Sequence, residues 1–221
     1  MTHDPRFVNV VAIMAREAIA TRERIQHAAF ARFSRYGFRR TSMEDIASEA
    51  GVSRAALYLQ FRNKEEIFVS LAQQLQDDAM GRVAAALATD LPLAARIRTA
   101  IEAKSLHFVE IALGSPHGNE LLDETNRLCG DLIASMEKRF ADQLTRLFRR
   151  AAQAGEIDLA TADLSAPEAA QLLLRSVKGL KGPGVTVDEF RKALDQLVRV
   201  FVAGLAARPA ARSRARVARA S

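Results

Sequence analysis

The stretch that most constrains the fold of this chain runs from residue 41 to residue 68, TSMEDIASEAGVSRAALYLQFRNKEEIF. Its first part predicts a short helix, because Thr41 and Glu44 have the three-residue spacing of a capping box. Gly51 predicts the end of that helix, because glycine readily adopts the left-handed conformation of a helix C-cap. The apolar face of the helix follows spacings of three and four residues and comprises Met43, Ile46, Ala47 and Ala50.

A second helix is predicted directly after this turn. Ser53 is its expected N-cap, and Leu57 and Phe61, four residues apart, form its inward face. Two short helices joined by a turn of about three or four residues that contains glycine are typical of the helix-turn-helix motif. In that motif the second helix enters the major groove of DNA. The sequence therefore predicts a DNA-binding motif whose recognition helix opens with Arg54 and Ala55.

The segment AGVSRAALYLQFRNKEEIF, residues 50–68, resembles the DNA-binding signature of the TetR/AcrR repressor family. The matching features are Ala-Gly-Val-Ser, a Leu-Tyr pair, a Phe three residues after the Tyr, and a Lys that opens the next helix. The resemblance is strong over residues 20–70 and covers the rest of the chain only through length and helical pattern. It implies an all-α fold, in which a three-helix DNA-binding domain precedes a larger helical ligand-binding and dimerisation domain.

The composition is that of a globular protein, with 49% hydrophobic and 26% charged residues in a chain of 221. No apolar run approaches the roughly 18 residues of a membrane span, so no membrane partner is expected. A single cysteine, Cys129, and the lack of a signal-peptide pattern favour a cytoplasmic location.

The net charge of +6 is unevenly distributed along the chain. Residues 1–70 carry +3, from 11 basic and 8 acidic side chains, and residues 71–207 carry −2, from 16 basic and 18 acidic ones. Residues 208–221 contain five arginines and no acid. The basic excess at the helix-turn-helix end is compatible with DNA binding, although it is modest and the motif carries the argument.

Four segments are predicted. They are an N-terminal arm at 1–19, the DNA-binding domain at 20–68 with the start of a linking helix four, the ligand-binding and dimerisation domain at 69–207, and a basic disordered tail at 208–221. The arm is either frayed or an extension of the first helix, predicted at 21–37, and the true start is Met1 or Met14. The tail is either a solubilising end or an additional non-specific DNA contact.

The second domain is expected to be helical throughout. The apolar pattern and the breaks at 114–119 and 181–184 predict helices at 63–88, 92–113, 120–154, 166–180 and 187–206. Gly130 is a candidate bend within the long helix at 120–154. Capping residues Ser165, with Glu168, and Thr186 start the last two helices. With the first helices this gives about nine helices, the layout that the resemblance implies.

The resemblance implies a set of DNA contacts at Thr41, Ser42, Arg54, Ala55, Tyr58, Gln60 and Lys64. Arg54 and Ala55 would face base edges, since an arginine can donate two hydrogen bonds to guanine and alanine can touch a thymine methyl group. A phosphate is the alternative partner of Arg54. Gln60 is a weaker candidate for a base or phosphate contact.

The other implied contacts are to phosphates. Thr41 and Ser42 precede a helix N-terminus, where hydroxyl and backbone N–H groups hold anions. The hydroxyl of Tyr58 would also lie on a phosphate, with plain packing as the alternative. Lys64 would do the same at the start of helix four, where its charge opposes the helix dipole; a solvated side chain is the alternative.

An effector pocket is implied between the predicted helices 92–113, 120–154 and 166–180. Its polar candidates, which interrupt otherwise apolar stretches, are His107, Asn126, Cys129 and Arg175. Its candidate apolar lining is Phe108, Met136 and Phe140. Packing in the core or exposure to solvent is the alternative for each of them. For Cys129 in particular, a buried structural thiol is the alternative, and no nearby residue in the sequence suggests that it acts as a nucleophile.

A homodimer interface is implied on the last two helices, 166–180 and 187–206, whose apolar stripes are broad. Its predicted members are Leu172, Leu173, Ser176, Val177, Phe190, Leu194, Leu197 and Phe201. The alternative is that these residues only close the core of their own subunit.

The function expected from these observations is that of a homodimeric transcriptional repressor. It would bind palindromic operator DNA and be released by a small, mostly apolar ligand. A TetR-type activator or a ligand-independent regulator is the main alternative, and a helical interaction protein without DNA binding is a distant one. No enzyme is expected, since the chain lacks a Gly-rich phosphate loop, a nucleophile elbow and metal-binding histidine spacing; no cofactor or metal is expected either.

Overall fold

The computed structural model describes the backbone of residues 5–181 and 185–206, and the side chains of residues 16–106, 114–181 and 185–206. Within these ranges the chain forms nine α-helices, one short 3-10 helix at Ala160–Ala162 and no β-strand beyond a single isolated bridge. The all-α prediction is confirmed for this part of the chain. The helices are α1 (Pro5–Tyr36), α2 (Met43–Ala50), α3 (Arg54–Gln60), α4 (Lys64–Leu87), α5 (Leu93–Gly114), α6 (Gly118–Leu128), α7 (Gly130–Gln153), α8 (Ala166–Gly179) and α9 (Val187–Gly204).

Hydroxyl side chains start the last two helices, as predicted. α8 begins with a capping box of Ser165 and Glu168, and α9 begins with one of Thr186 and Glu189. The pKa of the Glu168 carboxyl is lowered, chiefly by the hydrogen bond from the Ser165 hydroxyl. The pKa of the Glu189 carboxyl is lowered first by the backbone N–H of Thr186. Both acids are therefore held in the charged form that suits a helix N-terminus.

The first helix is longer than predicted. It begins at Pro5 rather than near Thr21, so the predicted arm at 1–19 is helical from residue 5 onward. Proline is favoured in the first turn of a helix, and no further Pro or Gly occurs before Gly37. Without a breaker the helix continues through the segment that composition alone left ambiguous.

The predicted helix at 120–154 is wrong, because the chain forms two helices there. α6 ends at Leu128 and α7 begins at Gly130, with Cys129 between them at φ −118° and ψ 21°. The apolar spacing continues across this break, so periodicity alone did not reveal it. Three other predictions fall outside the described residues: the tail at 208–221, the residues 182–184 of the predicted break, and the side chains of His107 and Phe108.

The contacts within the chain define two compact units. The first comprises Met1–Arg82 and Ala103–Glu137, and the second comprises Val83–Glu102 and Lys138–Ser221. Helices α4, α5 and α7 each contribute residues to both units. The predicted functional division after residue 68 does not coincide with this boundary.

The first unit is organised around an aromatic cluster. The rings of Phe33, Phe38 and Phe68 lie with their centroids 5.2 to 5.8 Å apart, and all three side chains are buried. Ile46 of α2 and Leu57 of α3 are fully buried in the same hydrophobic cluster. This burial fixes the two short helices, which are too short to be stable in isolation.

The second unit has its own core, with buried side chains from α4, α5, α7, α8 and α9. Phe148 of α7 and Phe201 of α9 have ring centroids 6.0 Å apart. The backbone N–H of Asp158 donates to the carbonyl of Leu205 at 2.7 Å, which joins the segment after α7 to the end of α9. The largest fully buried side chains of this unit are Ile97, Ile101, Phe140, Leu144, Phe148 and Leu173.

Candidate nucleic-acid interface

The turn between α2 and α3 has the predicted geometry. Gly51 is the C-cap of α2 in the left-handed conformation, at φ 61° and ψ 39°. The backbone N–H of Val52 then donates to the carbonyl of Ala47 at 3.0 Å. Ser53 caps α3 by accepting a hydrogen bond from the N–H of Ala56 at 3.1 Å. The turn thus sets the orientation of α3 relative to α2.

We expect Gly51→Ala to lower the free energy of unfolding by about 1–2 kcal/mol, because a Cβ atom disfavours the left-handed conformation. The space around Gly51 is open, so the backbone conformation alone carries the effect. Gly81→Ala is the matched control, since Gly81 lies in α4 with open space around it and should gain about 0.8–1 kcal/mol. Urea unfolding followed by circular dichroism measures both; equal effects from the two substitutions would contradict this account.

α3 presents one face to solvent and buries the other. Leu57 and Phe61, the residue directly after α3, are buried at 0% and 1% exposure. Tyr58 is 45% exposed and Leu59 is 84% exposed. Ala55 is also exposed. The exposure of Leu59 leaves its aliphatic side chain accessible to a partner on this face. The exposed face thus combines polar and apolar side chains, the two kinds that contact base edges in the major groove.

Arg54 lies at the start of α3 and forms an ion pair with Glu44 of α2, between Nη2 and Oε1. Its side chain is 67% exposed, so the guanidinium remains accessible. The Glu44 carboxylate restricts the orientation of the guanidinium before DNA is bound, and a guanine or a phosphate would have to compete with it. Gln60 is half-buried, and its backbone carbonyl accepts a hydrogen bond from Nη1 of Arg22 at 3.1 Å.

Thr41 does not cap α2, which corrects the predicted capping box with Glu44. The N-cap is Ser42, whose hydroxyl accepts from the N–H of Asp45 at 3.1 Å and donates to its Oδ2 at 2.7 Å. Thr41 is 1% exposed, and its hydroxyl donates to the carbonyl of Gly37 at 2.8 Å. The pKa of the Asp45 carboxyl is lowered, first by the Ser42 hydroxyl and then by its backbone N–H. In this conformation the Thr41 hydroxyl therefore faces the protein interior.

The ammonium group of Lys64 is directed at the protein rather than at solvent. Its Nζ donates to the carbonyls of Phe38 at 2.9 Å, Arg39 at 3.2 Å and Thr41 at 3.0 Å. The same atom lies 4.6 Å from the centroid of the Phe38 ring. A lysine has three N–H donors, and here all three have acceptors. This geometry differs from the predicted phosphate contact and gives Lys64 a role in shaping the segment between α1 and α2.

α6 holds the same segment from another side, a contact that the sequence did not reveal. The N–H of Arg39 donates to Oε1 of Glu120 at 2.8 Å, and its Nε lies 3.4 Å from Oε1 of Glu124. Glu124 is only 3% exposed and also pairs with Arg127 at 2.7 Å. A Cβ atom at Gly37, which has φ 87°, would lie 2.5 Å from Glu120. That oxygen is the end of a flexible side chain that can move, so the positive φ is what favours glycine at this position.

The predicted pocket residues are distributed over both compact units. Cys129 and Met136 are buried in the first unit, Phe140 is buried in the second, and Asn126 and Arg175 are exposed. Burial raises the pKa of the Cys129 thiol, as expected for a structural cysteine. None of these five residues lines the apolar cavity of the first unit, which has a volume of about 50 Å³. That volume is enough for one or two water molecules but not for an effector. The lining of this cavity comes from α1, α4 and α6: Phe30, Phe33, Phe68, Leu71, Ala72, Leu75, Gly118, Leu121, Leu122 and Thr125.

The residues predicted for a dimer interface fall into two groups. Four are buried within the chain itself, namely Leu173, Val177, Phe190 and Leu194. The others, Leu172, Ser176, Leu197 and Phe201, are exposed or partly exposed. Val200 of α9, which was not predicted, is 72% exposed. Of the predicted interface residues, only the second group is accessible to a second subunit.

The described residues contain no group of three or more His, Cys, Asp or Glu side chains placed to hold a metal ion. Their helices also lack the combination of length and apolar character that crossing a membrane requires.

An all-α chain with a capped helix-turn-helix and an exposed second helix has the architecture of helix-turn-helix DNA-binding proteins. Residues 25–71 match the family model described as bacterial regulatory proteins, tetR family. This part of the chain is therefore similar to the DNA-binding domain of the TetR family of transcriptional regulators. The matched family and the relatives below are described as transcriptional regulators, none of them as an enzyme.

Individual relatives show how far the similarity extends. The HTH-type transcriptional regulator RutR of Escherichia coli K12 is 33% identical over 137 residues, which cover 58% of this chain and 62% of RutR. The chain thus matches less than two thirds of that relative. A transcriptional regulator from Cytophaga hutchinsonii has a TM-score of 0.68 at 21% identity, covering 83% of this chain and 97% of that one. SmeT, the repressor of the Stenotrophomonas maltophilia multidrug efflux pump SmeDEF, has a TM-score of 0.60 at 20% identity, covering 83% and 89%. At these identities the two structures support the fold alone.

Proposed function

We propose that the protein is a homodimeric, cytoplasmic transcriptional repressor that binds a palindromic operator and is released by a small-molecule effector. The observation that carries the DNA-binding part is the exposed face of α3, where Arg54, Ala55, Tyr58 and Leu59 are accessible while Leu57 is buried. A two-fold symmetric dimer would present two such helices to half-sites about one DNA turn, 34–36 Å, apart.

Two residues of this face are proposed to read bases. Arg54 would donate two hydrogen bonds to a guanine, after exchanging Glu44 for the base. Leu59 would contact the methyl group of a thymine, which is the apolar feature of the major groove. Tyr58 is proposed to contact a phosphate through its hydroxyl. Arg40, which is exposed and whose guanidinium has no partner among the described residues, replaces Lys64 as the phosphate contact next to α2.

Release by an effector is proposed from the contacts of the helix-turn-helix with α4 and α6. Lys64 of α4 and Glu120 of α6 both hold the link that precedes α2. An effector that prefers a conformation in which either helix has moved would therefore change the orientation of α2 and α3. SmeT, a structural relative, has been solved as a complex with triclosan, so binding of a small molecule by a protein of this fold has a precedent.

The test is selection of DNA from a random pool by the purified protein, at one stated salt concentration. A palindromic consensus is expected. Arg54→Ala should lose about 1–3 kcal/mol of preference at one guanine in each half-site, and Leu59→Ala should relax a thymine position. Arg62→Ala is the control, because its 89%-exposed side chain lies after α3 and pairs with Glu66. Selection of no sequence, or the same consensus from Arg54→Ala, would contradict the proposed readout.

A further inference from the structure

A cleft of about 250 Å³ lies within the second compact unit, between the end of α4, the start of α5 and the middle of α7. We call it the arginine cleft. One wall is apolar and the other carries guanidinium and amide groups. Its lining residues are Ala84, Leu87, Ala88, Arg96, Gln143, Arg146, Leu147 and Arg150.

The cleft has uncompensated positive charge. Arg96 donates from Nη2 to Oε2 of Glu156 at 2.6 Å, so these two charges balance each other. The guanidinium groups of Arg146 and Arg150 form no ion pair or hydrogen bond with any residue that the structure describes. They are four residues apart on α7, a spacing at which like charges on a helix repel each other. A bound anion would relieve this repulsion.

The cleft also contains polar atoms without partners. Nε of Arg96 and Oε1 of Gln143 are both buried, and neither has a hydrogen-bond partner. One is a donor and the other is an acceptor. Buried polar groups are normally paired, so these two atoms are polar groups of the lining that the described residues leave unsatisfied. The side chain of Arg96 is held almost out of solvent, at 15% exposure, which makes it a fixed part of the site.

We propose that the arginine cleft binds a small organic acid with a short aliphatic portion. Its carboxylate would accept hydrogen bonds from Arg146 and Arg150, because guanidinium groups bind carboxylates in a bidentate geometry. The aliphatic portion would pack on Leu87 and Leu147. The volume lies just below the usual range of small-molecule pockets, which favours a compact ligand. This inference extends the proposed function by naming a class of effector, and its regulatory meaning rests on that proposal; the binding itself does not.

The binding is tested by calorimetry on the full chain without DNA, with hexanoate as the probe. Binding in the micromolar to millimolar range is expected. Hexan-1-ol, which lacks the charge, should bind at least about tenfold more weakly, as should hexanoate to Arg146→Gln or Arg150→Gln. Arg149→Gln is the matched control on the same helix, since Arg149 is exposed but does not line the cleft. The affinity of this variant for hexanoate should equal that of the unmodified protein.

Three results would overturn the inference. They are no heat of binding with hexanoate at millimolar concentration, equal affinity in the folded Arg146→Gln and Arg150→Gln variants, and inorganic phosphate binding as tightly as hexanoate. The last result would mean that the cleft recognises charge alone. Because DNA is absent, failure of hexanoate to bind overturns only the arginine cleft, and failure of the DNA selection overturns only the proposed function.

Discussion

Replacing Lys64 by methionine is expected to lower the free energy of unfolding by about 2–3 kcal/mol, which corresponds to a fall in Tm of about 5–10 °C. The substitution keeps an unbranched apolar stem of similar length and removes the ammonium that holds the carbonyls of Phe38, Arg39 and Thr41. Those carbonyls would lose a charged donor at the entrance to α2. Operator affinity should fall about tenfold, because α2 and α3 lose part of their support.

The salt dependence of operator binding separates this role from a phosphate contact. If Lys64 acts on the backbone, Lys64→Met lowers Tm and affinity but leaves the slope of log K against log salt unchanged. A lost phosphate contact would reduce that slope by about one for each subunit. Arg40→Met is the matched control, since Arg40 is an exposed cation of the same link and should change the slope without changing Tm. An unchanged Tm together with a reduced slope in Lys64→Met would restore the original phosphate prediction.

The helix-turn-helix was predictable because its determinants are local. Gly51 and Ser53 act through the backbone within three or four residues, and the buried pair Leu57 and Phe61 follows from helical spacing. The N-cap of α2 was misplaced by one residue because Thr41 and Ser42 have equivalent chemistry in the sequence. The structure resolves the choice through a contact outside the capping pattern, the hydrogen bond from Thr41 to the carbonyl of Gly37.

The remaining parts of the site depend on partners that are distant in sequence. Lys64 finds acceptors 23 to 26 residues away, and Arg39 meets Glu124 at a separation of 85 residues. Composition gives no indication that Glu124, a charged residue, will be only 3% exposed. The arginine cleft likewise forms only where α4, α5 and α7 meet. Local pattern therefore predicts which residues can act, whereas tertiary contacts decide which of them face DNA, an effector or the core.

The largest effect is expected from disrupting the proposed dimer. Leu172 of α8 and Val200 of α9 are 47% and 72% exposed on the helices whose inner faces are already buried within the chain. Exposed aliphatic side chains on two adjacent long helices are what a second subunit would cover. Leu172→Glu with Val200→Glu should place charges in that interface, where burial of an unpaired carboxylate is strongly unfavourable.

The double variant should sediment as a monomer and bind operator DNA about 100-fold more weakly or worse, because each recognition helix would then bind its half-site without the gain from linking the two. Leu91→Glu is the matched control, since Leu91 is 50% exposed but lies between α4 and α5. It should remain dimeric with unchanged affinity. Measuring sedimentation and operator binding on the same samples distinguishes two failures. A dimer that persists in the double variant would place the interface elsewhere, whereas a monomer with undiminished affinity would show that one recognition helix suffices and that the palindromic readout is wrong.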